Sequence, residues 1–233
     1  MKKISLISFL LLFSTFSKSD TLLGVYINAQ QWFYDYSGDL SSDDFGQFDL
    51  ENDLKFGNET AASLSVAIEH PAPLVPNFKL RYNEFSNNAV DQTNSIATKI
   101  NLNHTDLTLY YELLDNWLNL DLGLSVMYFD GSASISNPLQ NFNKDDTFLL
   151  PALYAKAQFE FPITNLSANV TLNIAGLSDS KAMDLEVSAL YEIGLGFGLE
   201  AGYRRKTLEF DKFGSINIDT NGSGLFAGVQ YHF

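Results

Sequence analysis

The sequence predicts an all-β chain: a transmembrane antiparallel up-and-down β-barrel of ten strands, within a range of 8–12, behind a cleaved signal peptide. Three observations predict it. Apolar and polar residues alternate in one segment after another, the links between segments are alternately short and long, and the last ladder runs to the final residue, Phe233. Period-two alternation marks a strand with one apolar face. With no water to satisfy backbone groups in a bilayer, only helices and closed barrels can span it.

Residues 1–19 read as a secretory signal of the Sec type. Lys2 and Lys3 precede the apolar run "ISLISFLLLFSTF", and Ser17 and Ser19 supply the small residues that a signal peptidase accepts. The run is short for a bilayer-spanning helix. Residues 20–233 then form a single barrel domain. Cysteine is absent, which excludes disulfides and a lipid-modified N-terminal cysteine. Without residues 1–19, 11 basic residues face 28 acidic ones, a net charge of −17. That balance argues against a nucleic-acid partner, since phosphate binding needs a basic patch. An aromatic content of 14% and a mean hydropathy of −0.04 exclude a disordered acidic chain.

The strands follow in order. "LLGVYINAQQWFYDY" sets Leu23, Val25, Ile27 and Ala29 against Tyr26, Asn28 and Gln30. "ASLSVAIE", "NFKLRYNEF", "TDLTLYYEL" and "LNLDLGLSVMYF" repeat the pattern, the last with Leu118, Leu120, Leu122, Leu124 and Val126 in one phase. "LYAKAQFEF", "LSANVTLNI", "LEVSALYEI", "FGLEAGYR" and the terminal ladder complete ten. Ile100 and Leu102 break phase with Leu107; either a bulge near His104 or a stretch standing above the membrane accounts for that. Short links ("HPAPLVPN", "LDN", "PITN", "GLG") alternate with mostly longer polar ones such as "DGSASISNPLQNFNKDDT". Short periplasmic turns and long extracellular loops are the plan of an outer-membrane barrel.

The polar phase carries Lys79, Arg81, Glu112, Asp121, Lys156, Glu160, Glu186 and Glu200, which would line the lumen. In a soluble barrel these charges would be outside and the apolar set would fill the interior; lipid outside and a hydrogen-bonded lumen inside costs less. Pairing of Lys79, Arg81, Lys156 and Arg204 with Glu69 and the lumen glutamates across neighbouring strands would plug the barrel. Trp32, Phe33, Tyr34 and Tyr36, with Tyr128, Phe129 and Tyr203, read as one interfacial aromatic belt; Trp117, Phe161 and Phe233 read as the other.

Leu225, Ala227, Val229, Tyr231 and Phe233 resemble the terminal strand by which outer-membrane barrels are delivered to their assembly machinery. "EHPAPLVPNFKLRY" and "HTDLTLYYELLDNWLNLDLGL" resemble signatures of a family of small, largely uncharacterised Gram-negative outer-membrane β-barrel proteins. The resemblance implies that fold, the bacterial outer membrane as location, and the lipid, lipopolysaccharide and assembly machinery there as partners. It carries over no catalytic residue.

No residue set calls for a cofactor or a metal. Loop 1 (Asp39, Asp43, Asp44, Asp49, Glu51, Asp53, Glu59) lacks the spacing of a calcium loop and reads as a solvated acidic loop, with divalent cations shared with lipopolysaccharide as the alternative. "GLGFGLEAG" precedes a strand rather than a helix, so it is a turn and not a phosphate cradle. His104 and Asp106 are the one pair that could mimic a barrel hydrolase acting on lipid A or peptide. The expectation is a non-enzymatic, porin-like protein, monomeric rather than oligomeric, serving as envelope scaffold, surface-loop binder or narrow channel. A small-solute diffusion pore and the hydrolase are the alternatives.

Overall fold

In a computed structural model the chain is described over residues 23–233, apart from 43–45, 73, 92–94, 116, 137, 139–140 and 214–215. The signal segment lies outside the described residues. The strands are β1 (Gly24–Ser42), β2 (Gly46–Asp49), β3 (Asn58–Glu69), β4 (Asn77–Asn83), β5 (Ser86–Asp91), β6 (Ile96–Asn101) and β7 (His104–Leu114). They continue as β8 (Leu118–Ser136), β9 (Asn141–Glu160), β10 (Leu166–Leu177), β11 (Ser180–Gly194), β12 (Phe197–Phe213) and β13 (Ile216–His232). Ten of them close a ring in the order β1, β3, β4, β7, β8, β9, β10, β11, β12, β13, each antiparallel to its neighbours. This is the expected barrel, and its ten strands are the ten that alternation marked.

The lower ends are joined by short links of two to seven residues, the upper ends largely by continued strand. Expected long loops are largely β-structure: β8 and β9 stay paired from Leu118↔Phe159 to Ser136↔Asn141, and β10 meets β11 through only Ser178 and Asp179. Strands of 17–20 residues are about twice what a tilted strand needs to cross hydrocarbon. Their upper halves therefore stand clear of it.

The alternation inverts along these strands. Near the turns the outward set is apolar: Val25, Ile27 and Phe33 on β1, Leu118 to Val126 and then Tyr128 on β8, Leu199 and Tyr203 on β12. The next outward positions are Asp35, Asp130 and Arg205. Tyr82, Thr105, Tyr128 and Leu149 lie in one cross-strand row, and Phe33, Leu225 and Tyr203 in another, so the change falls at a common level. Above it the inward set becomes apolar, with Tyr34, Tyr36, Phe85, Ile100, Leu102, Phe129, Phe210 and Ile218 all buried. Below that level the wall faces lipid and encloses polar groups; above it, the wall faces water and encloses an apolar core.

Three expectations are corrected by this inversion. First, there is no bulge at His104. Asn83 pairs with His104 and Ser86 with Asn101 in one unbroken frame, and the Leu102 N–H donates to Phe85 O across the gap between β5/β6 and β4/β7. Ile100 and Leu102 are out of phase with Leu107 because they point into the upper core. Second, Trp32, Tyr34 and Tyr36 are not belt residues; their rings are buried inside, as is Phe129, while Phe33, Tyr128 and Tyr203 do face outward. Third, loop 1 is not merely solvated: Leu50, Leu54 and Phe56 fold onto the core where β2 has left β1, and Asn87 Nδ2 donates to Gly57 O across that opening. The Asn52 backbone N–H donates to Asp49 Oδ1 at 2.7 Å, which holds that exposed carboxyl below the usual carboxylate range. Asp43 and Asp44 lie outside the described residues.

The turn ends carry strain. "GLGFG" is a tight turn as read, with Gly194 and Gly196 at φ 112° and 82°; a Cβ on Gly196 would sit 2.1 Å from His232 O. Phe161, Pro162, Ile163 and Thr164 form a type II turn, closed by the Thr164 N–H donating to Phe161 O at 3.2 Å. Its third position favours glycine, yet Ile163 occupies it at φ 68° with its side chain fully exposed. Left-handed backbone costs an L-residue about 1–2 kcal/mol. Ile163→Gly should therefore raise barrel stability by about 1 kcal/mol in denaturant titrations followed by gel mobility; a lower midpoint would show that the exposed Ile163 side chain has a stabilising contact.

Candidate functional site: a charged layer between a polar cavity and an apolar plug

All eight predicted lumen charges reach the inside. Lys79, Arg81, Glu112, Asp121, Lys156, Glu160, Glu186 and Glu200 line one cavity of about 330 Å³ in the lower half, reaching down to Glu69, Asp115 and His232 at the turn end. The side chains get there because each belongs to the phase opposite the lipid-facing one, on β4, β7, β8, β9, β11 and β12.

Pairing within this lumen is more selective than expected. Glu186 accepts from Arg81 at 2.5 Å and lies 3.1 Å from Arg204 Nε. The first contact joins β11 to β4 across the barrel rather than between neighbours. Among the described residues Glu200 has no basic partner; it accepts from Asn28 Nδ2 (2.9 Å), Gln30 Nε2 (3.0 Å) and Ser188 Oγ (2.6 Å). Asn77 donates to Glu112 at 2.8 Å, the Tyr110 hydroxyl to Glu69 at 2.7 Å, and Asn119 to Glu160 at 3.1 Å. Lys79 lies 5.4 Å over the Tyr154 ring. Lys156 and Asp121 face each other in register without an ion pair.

The densest charges lie higher and include residues that the sequence reading passed over, Asp184 and Lys206. Arg204 grips Asp184 through Nε (2.9 Å) and its terminal nitrogen (2.5 Å), and donates to Asn83 Oδ1 (2.8 Å). Lys206 Nζ lies 2.9 Å from Asp184 Oδ2 and donates to His104 Nε2 at 2.8 Å. His104 Nδ1 lies 2.9 Å from Leu102 O, so that nitrogen carries the proton and Nε2 accepts. Asn83 Nδ2 donates to Asp106 Oδ2 at 2.8 Å. Arg81, Arg204 and Lys206 thus balance Asp106, Asp184 and Glu186 in one buried layer. Alternation could have found the two missed residues: Asp184 is two from Glu186 on β11, and Lys206 two from Arg204 on β12.

Aromatic rings seal this layer from above. The Arg204 guanidinium sits 4.9 Å from the Trp32 ring, which stacks on Tyr34 at 4.2 Å. Phe129 covers His104 at 4.5 Å and meets Phe148 and Phe210 at 4.9 and 5.1 Å. Gly222 completes the fit, because a Cβ there would lie 2.8–2.9 Å from Phe85, Trp32 and Tyr34. His104 and Asp106 share a face of β7 and approach to 3.9 Å, but both lie beneath this plug.

Four of the five terminal-ladder residues are on β13, and Phe233 follows its last residue. Leu225, Ala227 and Val229 point outward into the lipid-facing belt, and Tyr231 and Phe233 are half-buried. β13 pairs with β1 and β12 along its length, so its edge is used up by closure.

No protein-family model matches this chain, and no curated protein matches it. Solved structures do. The outer membrane protease OmpT from Escherichia coli is 14% identical over 89% of this chain and 97% of its own, with a TM-score of 0.56. The translocator domain of the autotransporter NalP from Neisseria meningitidis is 13% identical, covering 93% and 90%, at a TM-score of 0.48. Ail of Yersinia pestis is 11% identical, covering 90% and 99%, at 0.39. The likeness to OmpT shows the fold, that of an outer-membrane β-barrel, and nothing about activity.

Breaking a buried ion pair from one side leaves an uncompensated charge, at a cost of about 3–5 kcal/mol. Arg204→Gln should lower stability by that order, measured as the urea midpoint of the heat-modifiable band. Lys181→Ala, which removes an exposed pair with Glu209 (2.7 Å), should cost under about 1 kcal/mol. Equal effects would mean that the buried layer is not what holds the barrel's middle together.

Proposed function

We propose that this chain is a Sec-exported protein of the bacterial outer membrane that acts without catalysis, as an envelope scaffold presenting a folded β-surface above the bilayer. The observation that carries this reading is the plug. A continuous apolar core, from Trp32 and Phe85 to Phe129, Phe210 and Ile218, fills the upper half of the barrel. Beneath it, the charge layer crosses the lumen through Arg81–Glu186 and Arg204–Asp184. A solute would have to displace both. The narrow-channel and diffusion-pore readings are the weaker ones for that reason. The hydrolase reading is weak for another: both ring nitrogens of His104 are committed to Leu102 O and Lys206, and Phe129 covers the ring. A general base needs a free acceptor within reach of substrate.

The apolar belt supports contact with membrane lipid, and the acidic outward residues above it, such as Asp35, Asp130 and Glu209, support a cation-bridged contact with lipopolysaccharide. Leu225, Ala227, Val229, Tyr231 and Phe233 serve as the address read by strand addition before β13 closes on β1. The protein acts as a monomer.

In planar bilayers the refolded protein should give no steady conductance steps, and Phe129→Ala combined with Phe85→Ala should open intermittent ones. Steady steps from the unaltered protein would sink the scaffold reading in favour of a pore. In cells, removal of Phe233 should cut the heat-modifiable form in the outer-membrane fraction about tenfold or more. Unchanged yield would remove the terminal ladder's role as an address.

A further inference from the structure

Eight carboxylates line the lower cavity against Lys79, Arg81, Lys156 and His232, and Glu69, Glu112 and Asp115 lie at its turn end. One buried polar group on the wall lacks a ligand from the protein itself among the described residues. Asp121 is 4% exposed and, among the described residues, makes no hydrogen bond and no ion pair, although Lys156 stands opposite it in register. An unsatisfied carboxylate beside a cavity is what a hydrogen-bond donor would complete.

The kind of donor follows from the rest of the wall. Tyr110 and Tyr154 line the cavity among the carboxylates, and Lys79 places its ammonium over the Tyr154 ring. Ring faces with interspersed carboxylates solvate an ammonium group, which combines a positive charge with several N–H donors. They suit a bare divalent ion less well, since that needs oxygen ligands converging within about 2.0–2.6 Å. No group of three or more acidic or histidine side chains among the described residues converges in that way. The negative mouth also raises the local concentration of cations on the turn side.

We propose that this cavity is a binding site for a small organic polycation of the alkylammonium class, entering from the periplasmic side. One ammonium would lie among Asp121, Glu112 and the Tyr110 and Tyr154 rings, and a second would meet the turn-end carboxylates of Glu69 and Asp115. The site is independent of the plug above it, and so of whether the barrel conducts.

Isothermal titration of spermidine into the refolded mature chain in zwitterionic micelles, at fixed ionic strength, tests this, with magnesium chloride titrated in parallel. The expected result is saturable one-site spermidine binding that weakens about tenfold or more in Asp121→Asn, a loss of about 1.4 kcal/mol, while magnesium gives only dilution heat. A heat-modifiability gel checks each variant's fold. Should Asp121→Asn not fold, Glu112→Gln at the wider end carries the same expectation. Absence of saturable heat, affinity unchanged in the folded variant, or stoichiometric binding of magnesium in place of spermidine would each overturn the proposal.

Discussion

Lipid offers backbone N–H and C=O groups no hydrogen-bond partners, so a sheet in a bilayer has to close on itself. Here the closing seam joins β1 to β13 from Tyr26↔His232 to Ser41↔Asn217, and its last rungs are the reciprocal bonds between Val25 and Phe233 at 3.0 and 3.1 Å. With the seam register set, alternation assigns every residue of the wall to one side, since a slip of a single residue would exchange the two faces. Leu225 and Val229 meet lipid, and Gly222 makes room for Trp32 and Tyr34, only in this register.

The same wall serves two solvents. Where it meets lipid, the outer face must be apolar and the lumen can be polar; where it meets water, the economical arrangement is the reverse. The crossover at Phe33, Tyr82, Tyr128 and Tyr203 is matched inside by the buried charge layer, which borders the open polar cavity on one side and the ring cluster on the other. Charges at such a boundary are stable only when mutually satisfied. That explains why Asp184 takes both Arg204 and Lys206, and why Glu186 is shared by two arginines from different walls.

Local pattern and assembled structure divide the credit along physical lines. Each of the ten strands was legible because period two is a property of neighbouring residues. The eight lumen charges were legible for the same reason, being out of phase with the apolar set on their own strands. Trp32, Tyr34 and Tyr36 were misassigned although they share phase with Asn28 and Gln30, because interfacial belts and apolar plugs draw on the same aromatic side chains. Ile100 and Leu102 break phase with Leu107 because the stretch before His104 stands above the lipid-facing part of the wall, one of the two readings that the pattern allowed.

By itself, then, the sequence determined a barrel: strand number, the phase of each strand, a polar lumen near the turns, and a terminal strand with an apolar face. Those features depend on spacing within a few residues of chain. The tertiary structure alone decided where along each strand the faces exchange roles, that Arg81 reaches Glu186 across the lumen, and that His104 is held between Leu102 and Lys206 beneath Phe129. These contacts join strands far apart in sequence, and the register and stagger of the closed wall set them at one height.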